Sequence, residues 1–402
     1  MSGLGFLERL LHGAAVEWVP LGNVTSYEQP TAYLVKSAIY HDSFPTPVLT
    51  AGKTFILGYT DESGGIYPAS RSPVIIFDDF TTTNKWVDFD FKAKSSAMKM
   101  ITSSDERRFS LKYVYYWLNT LPNEAAEGDH KRHWISDFCA KKIPIPCPED
   151  QQKSLAIQVE IVRILDAFTA LTAELTAELT ARKKQYNHYR DHLLNFDGTE
   201  VEWKTLGDIG EVRMCKRILK NQTTPDGDVP FFKIGTFGKE PDAFISREIF
   251  EDFKRRYSYP KVGDVLISAS GTIGRAVIFN GDDAYFQDSN IVWLENDETK
   301  VINKYLFYFY KIAKWFISDG GTIQRLYNDN IKRTALPIPF PNDPEKSLAE
   351  QARIVAILDK FDTLTSSLTE GLPREIALRQ QQYEHYRNLL LSFPKPAEGA
   401  KA

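Results

Sequence analysis

The sequence predicts an α+β chain in which two mixed α/β domains are each followed by a long helix, the whole forming an internal two-fold repeat. Three observations carry this. Residues 154–196 (SLAIQVEIVRILDAFTALTAELTAELTARKKQYNHYRDHLLNF) hold neither Gly nor Pro. They place Ile161, Leu165, Phe168, Leu175, Leu179, Tyr186, Tyr189 and Leu193 at steps of three, four or seven, a coiled-coil seam with Thr172 and Arg182 in its gaps. The same blocks return over residues 347–393: KSLA, ILDxF and YxHYRxxLLxF follow IPIPCP in the first copy and LPIPFP in the second. VEWVPLG at 16–22 likewise returns as VEWKTLG at 201–207, so the regions between the helices are duplicated too.

Composition agrees. With 402 residues, 43% hydrophobic and 25% charged, the chain is globular and long enough for two or more cores. Disordered and membrane classes are excluded: no apolar run approaches ~18 residues, and no charged-then-apolar leader precedes a cleavage site. Cys139, Cys147 and Cys215 show no paired spacing and no His at zinc-ligand distance, so they read as free thiols of a reducing cytoplasm. A net charge of −4 argues against indiscriminate coating of nucleic acid and leaves room for local basic faces.

In chain order, residues 1–13 contain a short helix, Leu4 to Gly13, similar to the YRDHLLNFDG that ends the first long helix. It either completes the repeat, closing a circular pseudo-symmetric arrangement, or caps the next domain. Residues 14–147 form the first domain, 148–197 the first helical spacer, 198–340 the second domain, 341–396 the second spacer and 397–402 a tail. Strands are expected at Thr46–Gly58, Pro73–Phe80 and Trp86–Phe91, and at Val229–Ile234, Asp264–Ser270 and Arg275–Asn280. Helices are expected at Lys112–Leu121 and Lys304–Ser318. The two domains agree better at their edges than in their middles, which suggests one fold carrying divergent surfaces.

The long helices differ in one respect. Pro144 and Pro337 stand 193 apart, whereas Tyr186 and Tyr383 stand 197 apart, so four residues separate the copies inside the helix. The first copy carries TAEL twice in tandem, Thr172 to Leu179; the second has Gly371 and Pro373 there and is expected to stop or kink and restart, with Pro373 in its first turn. At ~1.5 Å per residue the uninterrupted first helix would run ~60 Å. Leu358, Phe361, Leu368 and Tyr383 are the candidate seam residues of the second copy.

Motifs for chemistry are absent. Gly52-Lys53-Thr54 ends like a phosphate loop, but Pro47 stands where that loop needs Gly and the following FILGYT reads as a strand. Gly271 to Arg275 (GTIGR) lies between two strands and reads as a tight turn. No two prolines are adjacent, which rules out an Asn-Pro-Pro-Tyr methylation signature, and no His, Ser or Cys lies in a recognisable nucleophile motif.

The order of blocks, the tandem TAEL and the DVLISxxGTIGRxxI string (Asp264 to Ile278) resemble the specificity subunit of type I restriction-modification systems, over essentially the whole chain. The resemblance implies that each mixed domain is a target recognition domain for one half of a split, asymmetric site in double-stranded DNA. It implies long helices paired antiparallel as a spacer. It also implies docking of two methyltransferase subunits and of restriction/translocase subunits, which bring S-adenosylmethionine, ATP and Mg while this chain binds no cofactor and no metal. Members with different numbers of the TAEL repeat differ in spacer length.

Base edges are told apart chiefly by Arg, Lys, Asn and Gln in the major groove, while phosphate contacts fix register. Candidate reading surfaces are Gly128–Trp134 (GDHKRHW) and Gly321–Tyr327 (GTIQRLY), in register at the same offset of 193. Within them Lys131, Arg132, His133, Gln324 and Arg325 are the candidate DNA-binding residues, joined by Lys53, Lys233 and Arg275 beside glycine turns. Each of these alone reads as a solvated surface charge; as sets they point to DNA. Leu165, Phe168, Leu175, Leu179 and Tyr186 are the spacer and docking candidates of the first helix. Two other readings stay open: a pseudo-symmetric scaffold that binds only proteins, and a self-contained restriction or methylation enzyme, which the missing motifs disfavour.

Overall fold

The structure, a computed structural model, describes residues 13, 15–50, 54–122, 132–196, 200–317 and 324–394. The chain forms two compact units, Met1–Leu175 with Ile376–Ala402, and Thr176–Glu375.

In the first unit, β1 (Val16–Pro20) pairs antiparallel with β9 (Lys142–Pro146), Trp18 opposite Pro144. A four-stranded antiparallel sheet runs β2 (Thr25–Glu28), β8 (Met98–Ser103), β5 (Val74–Asp78), β6 (Asn84–Val87). A three-stranded sheet runs β4 (Ile56–Thr60), β3 (Thr46–Leu49), β7 (Lys92–Ala93), with β3 and β7 parallel.

In the second unit, β10 (Val201–Thr205) pairs with β18 (Ala335–Pro339), Trp203 opposite Pro337. The four-stranded sheet is β11 (Gly210–Arg213), β17 (Ile291–Asn296), β14 (Val265–Ser268), β15 (Ala276–Ile278). The three-stranded sheet is β13 (Phe244–Ile245), β12 (Val229–Phe232), β16 (Tyr285–Phe286), with β12 and β16 parallel. Strand for strand, order and sense are the same in both units.

The helices correspond as well. In the first copy they are α1 (Leu21–Val24), α2 (Leu111–Leu118), α3 (His133–Ser136) and α4 (Gln151–Leu193). In the second they are α5 (Leu206–Ile209), α6 (Arg247–Arg256), α7 (Asn303–Tyr310), α8 (Asn328–Lys332), α9 (Pro344–Ser366) and α10 (Gly371–Leu390). Only α6 lacks a counterpart among the described residues of the first unit. The early part of α4 belongs to the same unit as the late part of α10, and the late part of α4 to the same unit as α9. That crossed membership is what antiparallel pairing of the two copies produces.

Each domain is fastened to the start of its own helix by the same set of bonds. The Tyr113 hydroxyl donates to the Pro144 carbonyl (2.7 Å) and Tyr305 to Pro337 (2.8 Å). Tyr116 donates to Asp166 (2.5 Å) and Tyr308 to Asp359 (2.6 Å), while Lys112 and Lys304 pair with the other oxygens of those carboxylates at 2.9 and 2.6 Å. The fully buried Gln158 amide accepts from the Ser110 N–H (2.9 Å) and donates to the Arg108 carbonyl (3.0 Å); Gln351 does the same with Ile302 and Lys300 at 3.0 and 3.1 Å. Where strand turns into helix, Cys147 (φ 47) and Phe340 (φ 49) both adopt the left-handed conformation that side chains disfavour. It is held each time by one bond, Cys147 N–H to Ala15 O and Phe340 N–H to Glu200 O, both 2.9 Å.

Most expected elements are present, with three differences, and one lies outside the described residues. Thr46–Gly58 is two strands, because Thr50 turns the chain with its N–H on the Phe55 carbonyl (2.9 Å) and its hydroxyl on the Thr54 carbonyl (2.5 Å). Trp86–Phe91 breaks after Val87, where Asp90 turns aside to accept from the Ser70 N–H and hydroxyl at 3.0 and 2.6 Å. The Lys304–Ser318 helix stops at Tyr310, because Trp315 packs against Tyr310 (5.5 Å between rings) and against Gly274 of the β14–β15 hairpin. The expected helix at 4–13 lies outside the described residues apart from Gly13. The first core includes Leu390, Leu391 and Phe393 of the second repeat, all buried, with Trp18 Nε1 donating to the Pro394 carbonyl at 2.9 Å.

Candidate nucleic-acid interface and helix seam

In the second unit three segments meet at one end of the four-stranded sheet: the β14–β15 loop, residues 287–290 and residues 324–327. Gly271 (φ 65) and Gly274 (φ 79) give the loop its left-handed positions, and a Cβ on Gly274 would stand 2.4 Å from Trp315 Nε1. The Ser268 hydroxyl donates to the Thr272 carbonyl and the Gly274 N–H to the Ser268 carbonyl (2.9 Å), closing the turn. Ser270 forms a β-bridge with Arg325 and donates its hydroxyl to Asn290 Oδ1 at 2.8 Å. Leu326 is buried and its N–H reaches the Ala269 carbonyl at 2.8 Å.

The two arginines predicted to read DNA here are engaged. Arg325 Nη2 donates to the Ser289 carbonyl (2.8 Å), beside a Ser289 held at φ 59, and Arg275 Nη1 donates to the Phe237 carbonyl (2.8 Å). Each guanidinium therefore fixes a loop while contributing positive charge to the surface. The side chains left outward around them are Thr272, Gln324 and Tyr327. Gln324 has the amide that fits adenine in a bidentate pair. Lys233 borders this set, since the Ile234 N–H donates to Gln287 Oε1 and the Phe232 carbonyl accepts from the Gln287 N–H, both at 2.9 Å; its ammonium is ion-paired to Asp242 at 2.8 Å on a half-exposed surface where such a pair is worth little.

In the first unit the corresponding segment begins its described part at Arg132, which is exposed. His133 departs from expectation: it is 6% exposed, with Nδ1 2.9 Å from Asp137 Oδ2, so its ring faces the protein and not solvent. Trp134 is 1% exposed and packs on Phe77 (5.0 Å), whereas its counterpart Tyr327 is 55% exposed. Below them Lys99 Nζ lies 3.3 Å from Asp79 Oδ2, both side chains fully buried, and Asp79 Oδ1 accepts from the Trp134 N–H at 2.9 Å. Lys53, Lys131 and the glycine-led starts of both loops, 128–130 and 321–323, lie outside the described residues.

The seam is built in two halves, one per unit. In the first, Ile161 and Leu165 are fully buried and Phe168 stacks on Tyr386 (5.2 Å), with Tyr383 beside Tyr116. In the second, Tyr186 and Leu358 are buried, and Phe361 lies against Tyr186 (6.3 Å) and Tyr189 (5.4 Å). Leu175 and Leu179 are half-buried; Leu368 is 81% exposed, just beyond the end of α9. Burial pushes the Tyr186 phenol up to about 12. It pulls the Lys311 ammonium down, against the opposing pull of Asp362 at 3.2 Å. The anchors Gln158 and Gln351 were missed from sequence, although both stand five residues after the Lys of KSLA, and the Lys-Tyr-x-x-Tyr of α2 and α7 was equally visible.

Among the described residues no group of three His, Cys, Asp or Glu is placed to hold a metal ion. All three cysteines are unpaired, and burial pushes the Cys215 thiol up to about 12, so it is no nucleophile at neutral pH. Among those residues no helix is long and apolar enough to cross a membrane.

Two duplicated α/β domains, the second with two engaged arginines at its loop ends, joined to a repeated helix seam, define a two-module recognition protein. The family model of the type I restriction modification DNA specificity domain matches twice, at residues 40–182 and 199–378, and the chain belongs to that family. It is 52% identical over 410 aligned residues to the type I restriction enzyme EcoR124I/EcoR124II specificity subunit of Escherichia coli, covering 98% of this chain and 99% of that one. In fold it is similar to the S subunit of a type I restriction-modification system from M. genitalium, with a TM-score of 0.59 at 14% identity, covering 95% of this chain and 98% of that one. A chain from structures of complex assembly and conformational transition in the type I R-M system gives a TM-score of 0.52 at 17% identity, with 94% and 98% covered.

Proposed function

We propose that the chain is the DNA sequence-specificity subunit of a type I restriction-modification complex and performs no bond-breaking step itself. Each domain reads one half of a bipartite, asymmetric site in double-stranded DNA, the long helices set the unread spacer, and helix and domain edges dock two methyltransferase subunits at quasi-equivalent places. Restriction/translocase subunits complete the assembly, and S-adenosylmethionine, ATP and Mg act on those partners.

The observation that carries this reading is the repetition of one topology with different loop-end chemistry: Gln324, Arg325 and an exposed Tyr327 in one unit, Arg132 over a buried His133 and Trp134 in the other. Identical loop ends would suit a palindrome; different ones suit an asymmetric site. Arg132, Gln324, Arg325 and Arg275 are the described residues assigned to DNA, with Arg275 and Arg325 acting partly by holding loops in place. The seam residues Leu165, Phe168, Leu175, Leu179, Tyr186, Leu358, Phe361 and Tyr383, with the exposed Leu368, belong to spacing and docking.

The test is selection of bound and methylated sequences from randomised duplex DNA by the chain assembled with its methyltransferase partner. Two short unlike sequences separated by unread bases are expected. A complex that binds its partners but shows no sequence preference would leave the chain a protein scaffold.

A further inference from the structure

The first helix copy is continuous over the 43 residues of α4, while the second is split into the 23 residues of α9 and the 20 of α10. Together the two pieces hold 43 helical residues as well. The four residues by which the second copy is longer are left out of the helix, as Ser367 to Glu370. The equality follows from local chemistry. Ser367 ends α9 and its hydroxyl accepts from the N–H groups of Thr369 (3.3 Å) and Glu370 (3.1 Å). Gly371 turns left-handed (φ 76) so close to the end of α9 that a Cβ would stand 2.5 Å from the Thr363 carbonyl. Pro373 then sits in the first turn of α10, where its missing N–H costs nothing.

We propose that Ser367–Glu370 is a length-compensating joint, which lets the second helix copy follow a change in the number of TAEL repeats in the first. This rests on the reading above that the paired helices set the spacer. Helix copies that run side by side must match in axial rise. A third TAEL would lengthen α4 by ~6 Å, and an unbroken partner of fixed length could not follow. Four non-helical residues extend to at most ~13 Å, so the joint can supply that length without breaking the seam on either side. The exposed Leu368, at 81%, is free of the core that would otherwise resist such movement.

The experiment is a cycle on the full chain. One change inserts a third TAEL after Leu179; the other deletes Ser367–Glu370 together with Gly371→Ala and Pro373→Ala, which makes the second copy one continuous helix. Thermal midpoints of the four proteins alone, and sequences methylated by each with the partner methyltransferase, are measured. The two-repeat protein without the joint is expected to fold and to keep the native spacer. The three-repeat protein with the joint keeps activity and gains about one base pair of spacer, given ~6 Å of helix against ~3.4 Å per step. The three-repeat protein without the joint loses about tenfold or more in methylation and shows a depressed midpoint, as coupled sites do. Equal midpoints and equal activities for the two three-repeat proteins overturn the joint, as does failure of the jointless two-repeat protein to fold. If none of the four, native included, methylates specifically, the functional reading fails, and the midpoints still decide the joint.

Discussion

The two units solve one folding problem with different interiors. Asp79 and Ala269 occupy the same place, each carbonyl accepting from the corresponding N–H: that of His133, the first residue of α3, at 3.0 Å, and that of Leu326, just before α8, at 2.8 Å. Their cross-strand neighbours are Lys99, opposite Phe77, and Val292, opposite Ile267. The first unit thus buries an ion pair where the second packs Ala269 and Val292, both 1% exposed. The anchors to the helices are by contrast unchanged: two tyrosines, a lysine, an aspartate and a glutamine in each copy. The fold tolerates exchange of a charged core for an apolar one and keeps fixed the bonds that tie domain to helix. This is the division expected of a protein whose reading surfaces change while its assembly does not.

The largest effect that sharpens the comparison lies at that pair. Lys99→Met leaves the Asp79 carboxylate buried without its partner and is expected to cost about 3–5 kcal/mol in urea unfolding. Asp79→Ala with Lys99→Val, which copies the second unit, should recover most of that loss. A double variant as unstable as the single one would show that the two cores are not interchangeable.

Next in size is the pair Arg132 and Arg325. Arg325→Ala should weaken specific binding by about 1–3 kcal/mol, with a relaxed preference in one half-site if the loop it holds reads a base. Uniform weakening of all sequences with a smaller salt slope would assign it to phosphate instead. Arg132→Ala should act on the other half-site alone. Equal effects of either variant on both halves would break the comparison.

The smallest effect is alkaline. Burial, with the Asp166 and Asp359 carboxylates beside them, holds Tyr116 and Tyr308 protonated well above their ordinary value of 10.0. Folded-state values above unfolded ones mean that this stability is intact below pH ~10 and is lost as pH rises further. Tyrosinate absorbance should show both phenols resisting ionisation until the chain unfolds. Tyr116→Phe and Tyr308→Phe should each remove one resistant group, to a similar extent.

The duplication, the helix seam, its break at Gly371 and Pro373 and most strands were legible because they rest on periodicity and on glycine and proline chemistry. That the two interiors share one fold was legible from their matching edges, but which strand answers to which was not, since strands such as β3 and β12 share a fold position without sharing residues. The engagement of Arg275 and Arg325 on the Phe237 and Ser289 carbonyls was invisible as well, being a contact between segments 36 to 38 residues apart. Sequence marks where charge lies; only the fold shows which donors are already satisfied. His133 illustrates the point, a polar residue in a polar loop that the structure turns inward onto Asp137.

Each unit is expected to read its half-site independently of the other. Exchange of residues 198–340 for the corresponding domain of a family member with another specificity, followed by determination of the methylated sequences, tests it most directly. One half of the target is expected to change while the other half stays as it was. Alteration of both halves by that single exchange would contradict it.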